Sequence, residues 1–424
     1  MKISIFGLGY VGSISAACFA NDGHEVIGVD VNQAKVALVN SGASPVAEIG
    51  LNDLMRKVVA QGKLRATTDA AEAVSGSDFS FVCVGTPGHT TGEFDLRYVT
   101  RVSEEIGHSL RDKQERHIII VRSTMLPGTL ETVVIPILER YSDKTSGDGF
   151  GICVNPEFLR EGSSVKDFYS PPFTVIGTTD RITAAAVSRL YANLDAPIIT
   201  LSPKAAEILK CACNCFHAIK VNFANEIGSI CTELGIDSCE MMEVFCSDMK
   251  LNLSPYYLKP GFAFGGSCLP KDIRAVISQA RQLRLDVPLL SGLIASNSNQ
   301  INRALEMVRR AGKNRVGLLG LSFKAGTDDL RESPLVTLLQ QLISNRLNVL
   351  VYDPEVVIGS LIGANKDYID DAIPNISQYL VHNIQELVNY AEVIIVGKEM
   401  REFRELASKL RPDQVLIDLV HMFQ

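Results

Sequence analysis

The residues best suited to covalent chemistry lie in the segment FAFGGSCLPKD, which runs from Phe262 to Asp272. Cys268 follows two glycines that would let a substrate approach its sulfur closely. Pro270 suits the first turn of a helix, so we expect Cys268 at or just before a helix N-terminus. The positive end of the helix dipole and the adjacent Lys271 would both favour the thiolate, which is the nucleophilic form. A cysteine is more often a small buried apolar residue, so the rest of the chain must decide between the two interpretations.

A second group of polar residues lies in a stretch that runs for about thirty residues from Pro203 without another proline, which predicts one long helix. Lys210, Asn214 and His217 are spaced i, i+4 and i+7, so they share one face of that helix. Their neighbours are small or apolar, which predicts a buried helix whose polar face has a function. Alternatively, Lys210 could be a solvated lysine, and His217 could be a core histidine whose hydrogen bonds are made within the protein.

Two acidic residues, Glu157 and Glu161, follow a predicted strand that ends at Val154. Their spacing of four could place both on one helix face, and a carboxylate in a dry site can act as a general base. Acids beside a proline often only stabilise the start of a helix, so both interpretations stay open.

The motif GLGYVG places Gly7, Gly9 and Gly12 between a predicted strand, KISIF, and a predicted helix. In this setting the first glycine allows a tight turn, the second admits a pyrophosphate and the third lets helix and strand pack closely. Asp30 closes the next predicted strand, where a carboxylate can accept from both ribose hydroxyls and repel a 2′-phosphate. The sequence therefore predicts NAD rather than NADP as the cofactor.

Thr86 and Thr124 follow two further predicted strands, DFSFVCVG (78–85) and HIIIV (117–121). Ligands bind at the carboxyl ends of strands in open α/β sheets, so both threonines are candidate contacts. Threonines in loops also commonly cap turns, and that alternative stays open.

The elements that must position these residues predict an α/β chain. Strand-like runs alternate with helical segments at first, which implies a parallel sheet, and the same pattern returns at Arg315 after a mostly helical section. A chain of 424 residues is also long enough for several domains. We therefore predict two Rossmann-like domains with parallel sheets, joined by a long central helix and a helical middle domain, with boundaries at 1–202, 203–312 and 313–424.

Composition and charge narrow the class of protein further. A formal net charge of −7 argues against a surface that binds nucleic acid. The 10 cysteines are too dilute for a disulfide framework, and Cys211, Cys213 and Cys215 lack the spacing of zinc ligands, so no metal site is expected. No signal peptide or membrane-spanning apolar run is recognisable, which predicts a cytoplasmic protein.

Taken in order, a series of motifs closely resembles the nucleotide-sugar 6-dehydrogenases, the UDP-glucose/GDP-mannose dehydrogenase family. The motifs are GLGYVG, VGTP, RST, NPEFLRE, LKCACN, GFAFGGSCLPKD and LSFKAGTDDLRESP. The resemblance implies an NAD-dependent four-electron oxidation of a sugar C6 alcohol to the acid, through a thiohemiacetal and a thioester on cysteine. Within the family the resemblance is to members that act on GDP-mannose, and it implies a homodimer or larger homo-oligomer that feeds uronic-acid polymers such as alginate.

The resemblance also assigns residues. It makes Cys268 the nucleophile, Lys210 and Asn214 the pair that holds the reacting oxygen, and Glu161 an acid that helps to organise hydrolysis. Glu161, Lys210 and Asn214 are also implied contacts of the nucleotide sugar. The other implied nucleotide-sugar contacts are His217, Asn225, Tyr256, Tyr257, Lys259, Phe262, Gly265 and Lys324. The implied cofactor contacts are Gly7, Gly9, Tyr10, Val11, Gly12, Asp30, Lys35, Thr86, Thr124, Lys271 and Arg331. Lys259 stands where an arginine is expected, which keeps the charge but loses the bidentate fork.

Three alternatives remain open. UDP-glucose could be the substrate, because residue spacing does not distinguish guanine from uracil. A two-electron dehydrogenase of the β-hydroxyacid type would use the lysine and asparagine but leave Cys268 and the third domain without a role. A non-catalytic NAD-binding or redox-sensing protein would leave Lys210, Asn214 and Glu161 without one.

Overall fold

A computed structural model of the chain describes residues 1–249, 260–282, 284, 287–406 and 409–423. The chain divides into two compact units, Met1–Cys213 and Asn214–Gln424. Each unit contains one sheet with its own hydrophobic core.

The first unit is built on an eight-stranded sheet. Its strands are β1 (Lys2–Phe6), β2 (Glu25–Val29), β3 (Leu64–Thr67), β4 (Phe79–Val82), β5 (His117–Val121), β6 (Phe150–Val154), β7 (Thr174–Gly177) and β8 (Ile198–Leu201). They lie in the order β3-β2-β1-β4-β5-β6-β7-β8. The predicted parallel pairing is confirmed except between β6 and β7, which are antiparallel through Val154 and Gly177. The two strands that the sequence did not indicate, β3 and β8, are short edge strands.

The helices of the first unit connect these strands. They are α1 (Tyr10–Asn21), α2 (Gln33–Asn40), α3 (Leu51–Ala60), α4 (Ala70–Ser75), α5 (Arg97–Leu110), α6 (Ile135–Ser142), α7 (Ser164–Tyr169) and α8 (Arg181–Ser188), with a π-helical turn at Leu130–Val134 and a 3₁₀ turn at Arg189–Tyr191. All residues of β4, β5 and β6 are buried, as expected for a parallel sheet covered on both faces.

The long helix predicted from Pro203 is confirmed as α9 (Pro203–Glu233). Proline suits its first position, since no helical partner exists there for the missing N–H. The helix is less buried than its small neighbours suggested: Ala212 is exposed, and Phe216 keeps 43% of its surface accessible. The predicted burial therefore holds for part of the helix surface, which includes Lys210 and Asn214, and not for the whole of it.

The second unit contains α10 (Ser238–Ser247), α11 (Leu269–Gln282) and α12 (Pro288–Arg310), followed by the second sheet. Its strands, β9 (Arg315–Leu319), β10 (Asn348–Tyr352), β11 (Val393–Val396) and β12 (Val415–Asp418), are all parallel, in the order β10-β9-β11-β12. The accompanying helices are α13 (Pro334–Ser344), α14 (Gly363–Ala372), α15 (Ile384–Tyr390) and α16 (Arg401–Arg404). The two Rossmann-like sheets are thus confirmed, whereas the domain boundaries stay a prediction.

Candidate active site

The glycine loop after β1 has three different local requirements. Gly7 has a φ of +94°, which an L side chain rarely adopts. A Cβ at Gly12 would overlap the carbonyl oxygen of Gly7, whereas a Cβ at Gly9 would meet no described atom within 4 Å. Gly9 therefore leaves bare backbone open at the start of α1, and this cradle fits a pyrophosphate.

Asp30 follows β2 and is oriented by backbone amides. Its carboxylate accepts hydrogen bonds from the N–H of Leu8 at 2.8 Å and of Asn32 at 2.9 Å. The Nζ of Lys35 lies 3.4 Å from the same carboxylate. Asp30 is thus fixed beside the glycine loop, where an acidic residue fits a ribose diol.

The other cofactor candidates of the first unit lie around this loop. Tyr10 and Val11 are the first residues of α1 and pack partly against the core. The hydroxyl of Thr86 donates to the carbonyl of Thr124 at 2.8 Å, so it supports a loop-to-loop contact in this structure. That contact agrees with the interpretation of loop threonines as local supports.

Lys210 on α9 forms an ion pair with Glu157, with 3.0 Å between Nζ and Oε1 and both side chains 9% exposed. Burial alone would raise the pKa of Glu157, but the charge and hydrogen bond of Lys210, together with the charge of Arg122, bring the pKa below its usual value. Arg122 is itself buried and donates to Asn155 and to the Tyr191 hydroxyl. The site thus contains an ionised carboxylate held between two cations.

The expectation that Glu157 and Glu161 share a helix face is wrong. Residues 155–160 are irregular, 161–163 form a turn, and α7 begins only at Ser164. Pro156 has no N–H to donate, and the carboxylate of Glu157 accepts from the N–H of Leu159 instead of lying along a helix. Glu161 lies in the turn and is half-buried.

In the second unit, Cys268 directly precedes α11, as predicted. The N–H of Asp272 donates to the Cys268 carbonyl at 2.9 Å, which is the first helical hydrogen bond, and Cys268 is exposed. Asp272 is buried, accepts from the side-chain amide of Asn214, and lies 3.5 Å from Nζ of Lys271. Asp272 thereby fixes the orientation of Asn214 beside the helix that carries the cysteine.

The glycines before Cys268 have a packing role that the sequence did not indicate. A Cβ at Gly265 would lie 2.5 Å from the Glu332 carbonyl and from Pro334, and a Cβ at Gly266 would lie 3.0 Å from the Phe323 ring. Close packing of the cysteine loop on the segment after β9 therefore requires both glycines in this structure, whether or not a substrate also approaches them.

The remaining substrate candidates are distributed over the second unit. Asn225 on α9 accepts from the N–H of Gly261 at 2.8 Å and donates to the Phe262 carbonyl at 3.1 Å, so it holds the cysteine loop. His217 on α9 and Lys324 after β9 are half-buried. Arg331, a cofactor candidate, is bonded to Asp329 at 2.9 and 2.7 Å. Tyr256, Tyr257 and Lys259 lie outside the described residues.

Asp353 follows β10 as Asp30 follows β2, but its surroundings are different. Its side chain is 0% exposed and accepts from Nζ of Lys398 at 2.7 and 2.8 Å and from the N–H of Leu321 at 2.7 Å. A carboxylate whose oxygens already accept these hydrogen bonds within the protein is not available to a ribose diol. The geometry of a dinucleotide site is therefore found at the first sheet and not at Asp353.

Sequence reasoning missed the pairing of Glu157 with Lys210 and the parts played by Asp272 and Glu48. Asp272 follows Cys268 by four residues, so the helical spacing could have indicated it. Glu48 accepts from the hydroxyl of Tyr10 and from the N–H groups of Gly162 and Ser164, across distances in the sequence that no local pattern reveals.

A Rossmann-type sheet with an open glycine loop and a fixed acid after its second strand defines an α/β dinucleotide-binding protein. The family models agree: the NAD binding domain of the UDP-glucose/GDP-mannose dehydrogenase family matches residues 1–195, its central domain 204–299 and its UDP binding domain 317–424. The chain belongs to the UDP-glucose/GDP-mannose dehydrogenase family, and its cofactor is NAD.

Individual relatives are similar over nearly the whole chain. A GDP-mannose 6-dehydrogenase of Pseudomonas syringae pv. tomato is 51% identical over 420 residues, which cover 99% of this chain and 96% of the relative. A ternary complex of GDP-mannose dehydrogenase from Pseudomonas aeruginosa is 49% identical with a TM-score of 0.60, covering 100% and 97%. A UDP-glucose dehydrogenase from Pyrobaculum islandicum is 32% identical with a TM-score of 0.91, covering 100% and 94%.

Two kinds of feature are absent from the described ranges. Neither a helix long and apolar enough to cross a membrane nor a group of three or more His, Cys, Asp or Glu side chains that could hold a metal ion occurs there.

Proposed function

We propose that this chain oxidises the C6 alcohol of GDP-mannose to the carboxylate of GDP-mannuronate, with two molecules of NAD. The observation that carries the proposal is the exposed Cys268 directly before the first turn of α11, in a chain that is 51% identical to a GDP-mannose 6-dehydrogenase. The similarity supports the substrate, and the position of the thiol supports an oxidation that continues past the aldehyde.

The proposed reaction removes four electrons from the sugar in two steps. The alcohol first loses a hydride and a proton to give an aldehyde. The Cys268 thiolate then adds to the carbonyl carbon, and the carbonyl oxygen takes up a proton to form a thiohemiacetal. Loss of a second hydride and proton gives a thioester, and water then breaks the C–S bond to release the carboxylate and the thiolate. When bound, NAD supplies the hydride acceptor for each oxidation, so the balance is two NADH per uronate.

The side chains of the chain itself have distinct tasks in this proposal. Lys210, held by Glu157, stabilises negative charge as it develops on the reacting oxygen, and Asn214, oriented by Asp272, adds a hydrogen-bonding group. Cys268 retains the half-oxidised sugar covalently, which prevents release of the aldehyde. Glu161 organises the water that hydrolyses the thioester.

The binding sites are proposed from the same similarity. NAD is held by Gly7, Gly9, Tyr10, Val11, Gly12, Asp30, Lys35, Thr86, Thr124, Lys271 and Arg331. The nucleotide sugar is held by Glu161, Lys210, Asn214, His217, Asn225, Tyr256, Tyr257, Lys259, Phe262, Gly265 and Lys324. We propose that residues 1–202 form the NAD domain, 203–312 the central helical domain and 313–424 the nucleotide-sugar domain.

We also propose a cytoplasmic homodimer or larger homo-oligomer that supplies a uronate for polymers such as alginate. Phe216 and Phe223 are spaced by seven residues on α9 and keep 43% and 40% of their surface exposed, so they share an apolar face of this helix. A second copy of the chain is the occupant that we expect for this face.

The test of the function is a stoichiometry measurement with GDP-mannose and, in parallel, UDP-glucose. We expect about two NADH per uronate with GDP-mannose, and no uronate from Cys268→Ser. Cys239→Ser, a change of a half-buried cysteine on α10, is the matched control and should keep the activity. One NADH per sugar would instead indicate a two-electron dehydrogenase, and the absence of NADH would indicate a non-catalytic binding protein. Faster oxidation of UDP-glucose than of GDP-mannose would indicate that UDP-glucose is the substrate.

A further inference from the structure

The turn that carries Glu161 is fixed on both sides by carboxylates. On one side, Arg160 donates to Asp167 of α7 through its backbone N–H at 2.9 Å and its guanidinium at 3.0 and 2.5 Å. On the other side, the N–H groups of Gly162 and Ser164 donate to Glu48 at 2.8 and 3.1 Å. The backbone around Glu161 is thus held by Asp167, which is close in the sequence, and by Glu48, which is distant in the sequence.

Glu48 also contacts the glycine loop that we assign to the cofactor. Glu48 lies between α2 and α3, and its Oε2 accepts from the hydroxyl of Tyr10, the first residue of α1. The same hydroxyl lies 2.8 Å from the Ser164 hydroxyl and 3.2 Å from the N–H of Gly162. One carboxylate therefore connects Tyr10, which lies between Gly9 and Gly12, to the turn of Glu161.

The protonation state of Tyr10 suits this connection. Burial, then the hydrogen bond to Glu48, raise the pKa of Tyr10 far above its usual value, and the charge of Glu161 raises it further. The phenol therefore stays neutral and donates to Glu48.

We propose that Glu48 is a positioning residue that sets the place of Glu161 for thioester hydrolysis, and that it does so jointly with Tyr10 of the cofactor loop. This inference rests on the function proposed above. Gly162 has a φ of +85°, so the turn depends on a conformation that the hydrogen bonds to Glu48 stabilise from outside. Removal of the carboxylate releases one side of the turn, and hydrolysis loses its organised water while the hydride transfers keep their own side chains.

The experiment separates the two halves of the reaction in Glu48→Gln. The amide keeps the size and one oxygen acceptor but can no longer accept from Tyr10, Gly162 and Ser164 together. We expect a first turnover that still yields two NADH per site at the wild-type rate, followed by uronate release that is slower by about tenfold. Intact mass spectrometry should then detect the accumulated thioester. Asp53→Asn, at an exposed residue of α3, is the matched control and should leave both phases unchanged.

The outcomes distinguish this proposal from the function on which it depends. If the wild-type protein itself gives fewer than two NADH, the proposed function fails before any variant is considered. If the wild type gives two NADH and Glu48→Gln releases uronate at the wild-type rate, only the role of Glu48 is overturned. An equal slowing of hydride transfer and hydrolysis also overturns it, because that result indicates a merely structural role.

Tyr10→Phe is the second variant and keeps the test decisive if Glu48→Gln does not fold. It removes one donor but leaves the two backbone hydrogen bonds to Glu48. We expect slower thioester hydrolysis than in the wild type, with a smaller effect than that of Glu48→Gln. Hydrolysis at the wild-type rate in a folded Tyr10→Phe protein contradicts the proposal.

Discussion

Glu157 and Lys210 form an ion pair with 3.0 Å between Oε1 and Nζ, in which both side chains are 9% exposed. A buried pair of this kind contributes little when compared with two apolar residues, but loss of one partner leaves the other charge buried and uncompensated. Arg122 adds a second cation near the same carboxylate. Glu157 therefore contributes to the position of Lys210 and to the compensation of its buried charge.

Glu157→Gln should lower both stability and activity. We expect the free energy of unfolding to fall by about 3 kcal/mol, because the buried ammonium of Lys210 loses its ion pair with this carboxylate. Glu131→Gln is a matched control. Glu131 pairs at 3.0 Å with Lys204, which lies on α9 like Lys210, but the side chains of Glu131 and Lys204 are 43% and 62% exposed. That change should cost less than about 1 kcal/mol in urea denaturation. Equal effects of the two substitutions would contradict the buried pair.

The pKa of Glu157 also predicts the direction of a pH effect. Its pKa is lowered in the folded protein, so its contribution to stability is present above the unfolded value of 4.5 and is lost as the pH falls through the folded pKa. Glu157→Gln should therefore remove part of the loss of stability at acidic pH. Denaturation curves of both proteins between about pH 5 and pH 3 measure this difference.

Asp30 should determine the preference for NAD. Asp30→Ala combined with Val31→Arg, at a neighbour that is 71% exposed, removes the ribose acceptor and adds a cation for a 2′-phosphate. We expect the KM for NAD to rise about tenfold or more, because a hydrogen bond to a charged group is lost, while the use of NADP improves. Val31→Arg alone is the control. An unchanged ratio of kcat/KM for the two cofactors would remove Asp30 from this role.

What the sequence predicted correctly was local. The position of Cys268 before α11 follows from Pro270 two residues later, and the tight turn at Gly7 and the close packing at Gly12 follow from their spacing after a strand. In each case the determining residues are neighbours in the chain. Local rules of chain conformation are therefore sufficient to predict these features.

What the sequence did not predict depends on contacts between distant segments. The spacing of Glu157 and Glu161 suggested a helix, but the side chain of Glu157 instead bonds the N–H of Leu159 and pairs with Lys210 from α9. The sequence also did not indicate that Glu332 and Pro334, nearly seventy residues later, occupy the space that a Cβ at Gly265 would need. Such partners are known only once the fold brings them together.

His117 predicts a second pH dependence. It is buried between the Ser80 hydroxyl at 2.7 Å and the Ser77 carbonyl at 3.1 Å, and burial, with the charge of Lys113, lowers its pKa to about 3. The unfolded chain therefore binds the proton more readily, so stability is fully present above about pH 6.5 and falls as the pH decreases towards 3.

His117→Gln should flatten this dependence, by up to about 1.4 kcal/mol for each pH unit in that interval. The free energy of unfolding between about pH 6.5 and pH 4.5 is the measurement. His382→Gln, at an exposed residue, is the control and should retain the wild-type slope. A wild-type slope in folded His117→Gln would show that other groups cause the acid sensitivity.

Lys398 should contribute strongly to the stability of the second sheet. Its Nζ donates to Asp353 at 2.7 and 2.8 Å, to Glu355 at 2.8 Å and to the Ser322 hydroxyl at 2.7 Å, with 1% of the side chain exposed. Lys398→Met leaves Asp353 buried without its cation, so we expect the free energy of unfolding to fall by about 3–5 kcal/mol.

Lys409→Met breaks a pair with Glu405 that is 52% and 74% exposed, and should cost less than about 1 kcal/mol. Addition of Asp353→Asn to Lys398→Met should recover part of the loss, because the buried negative charge is then removed, and a double variant less stable than Lys398→Met would contradict this electrostatic explanation.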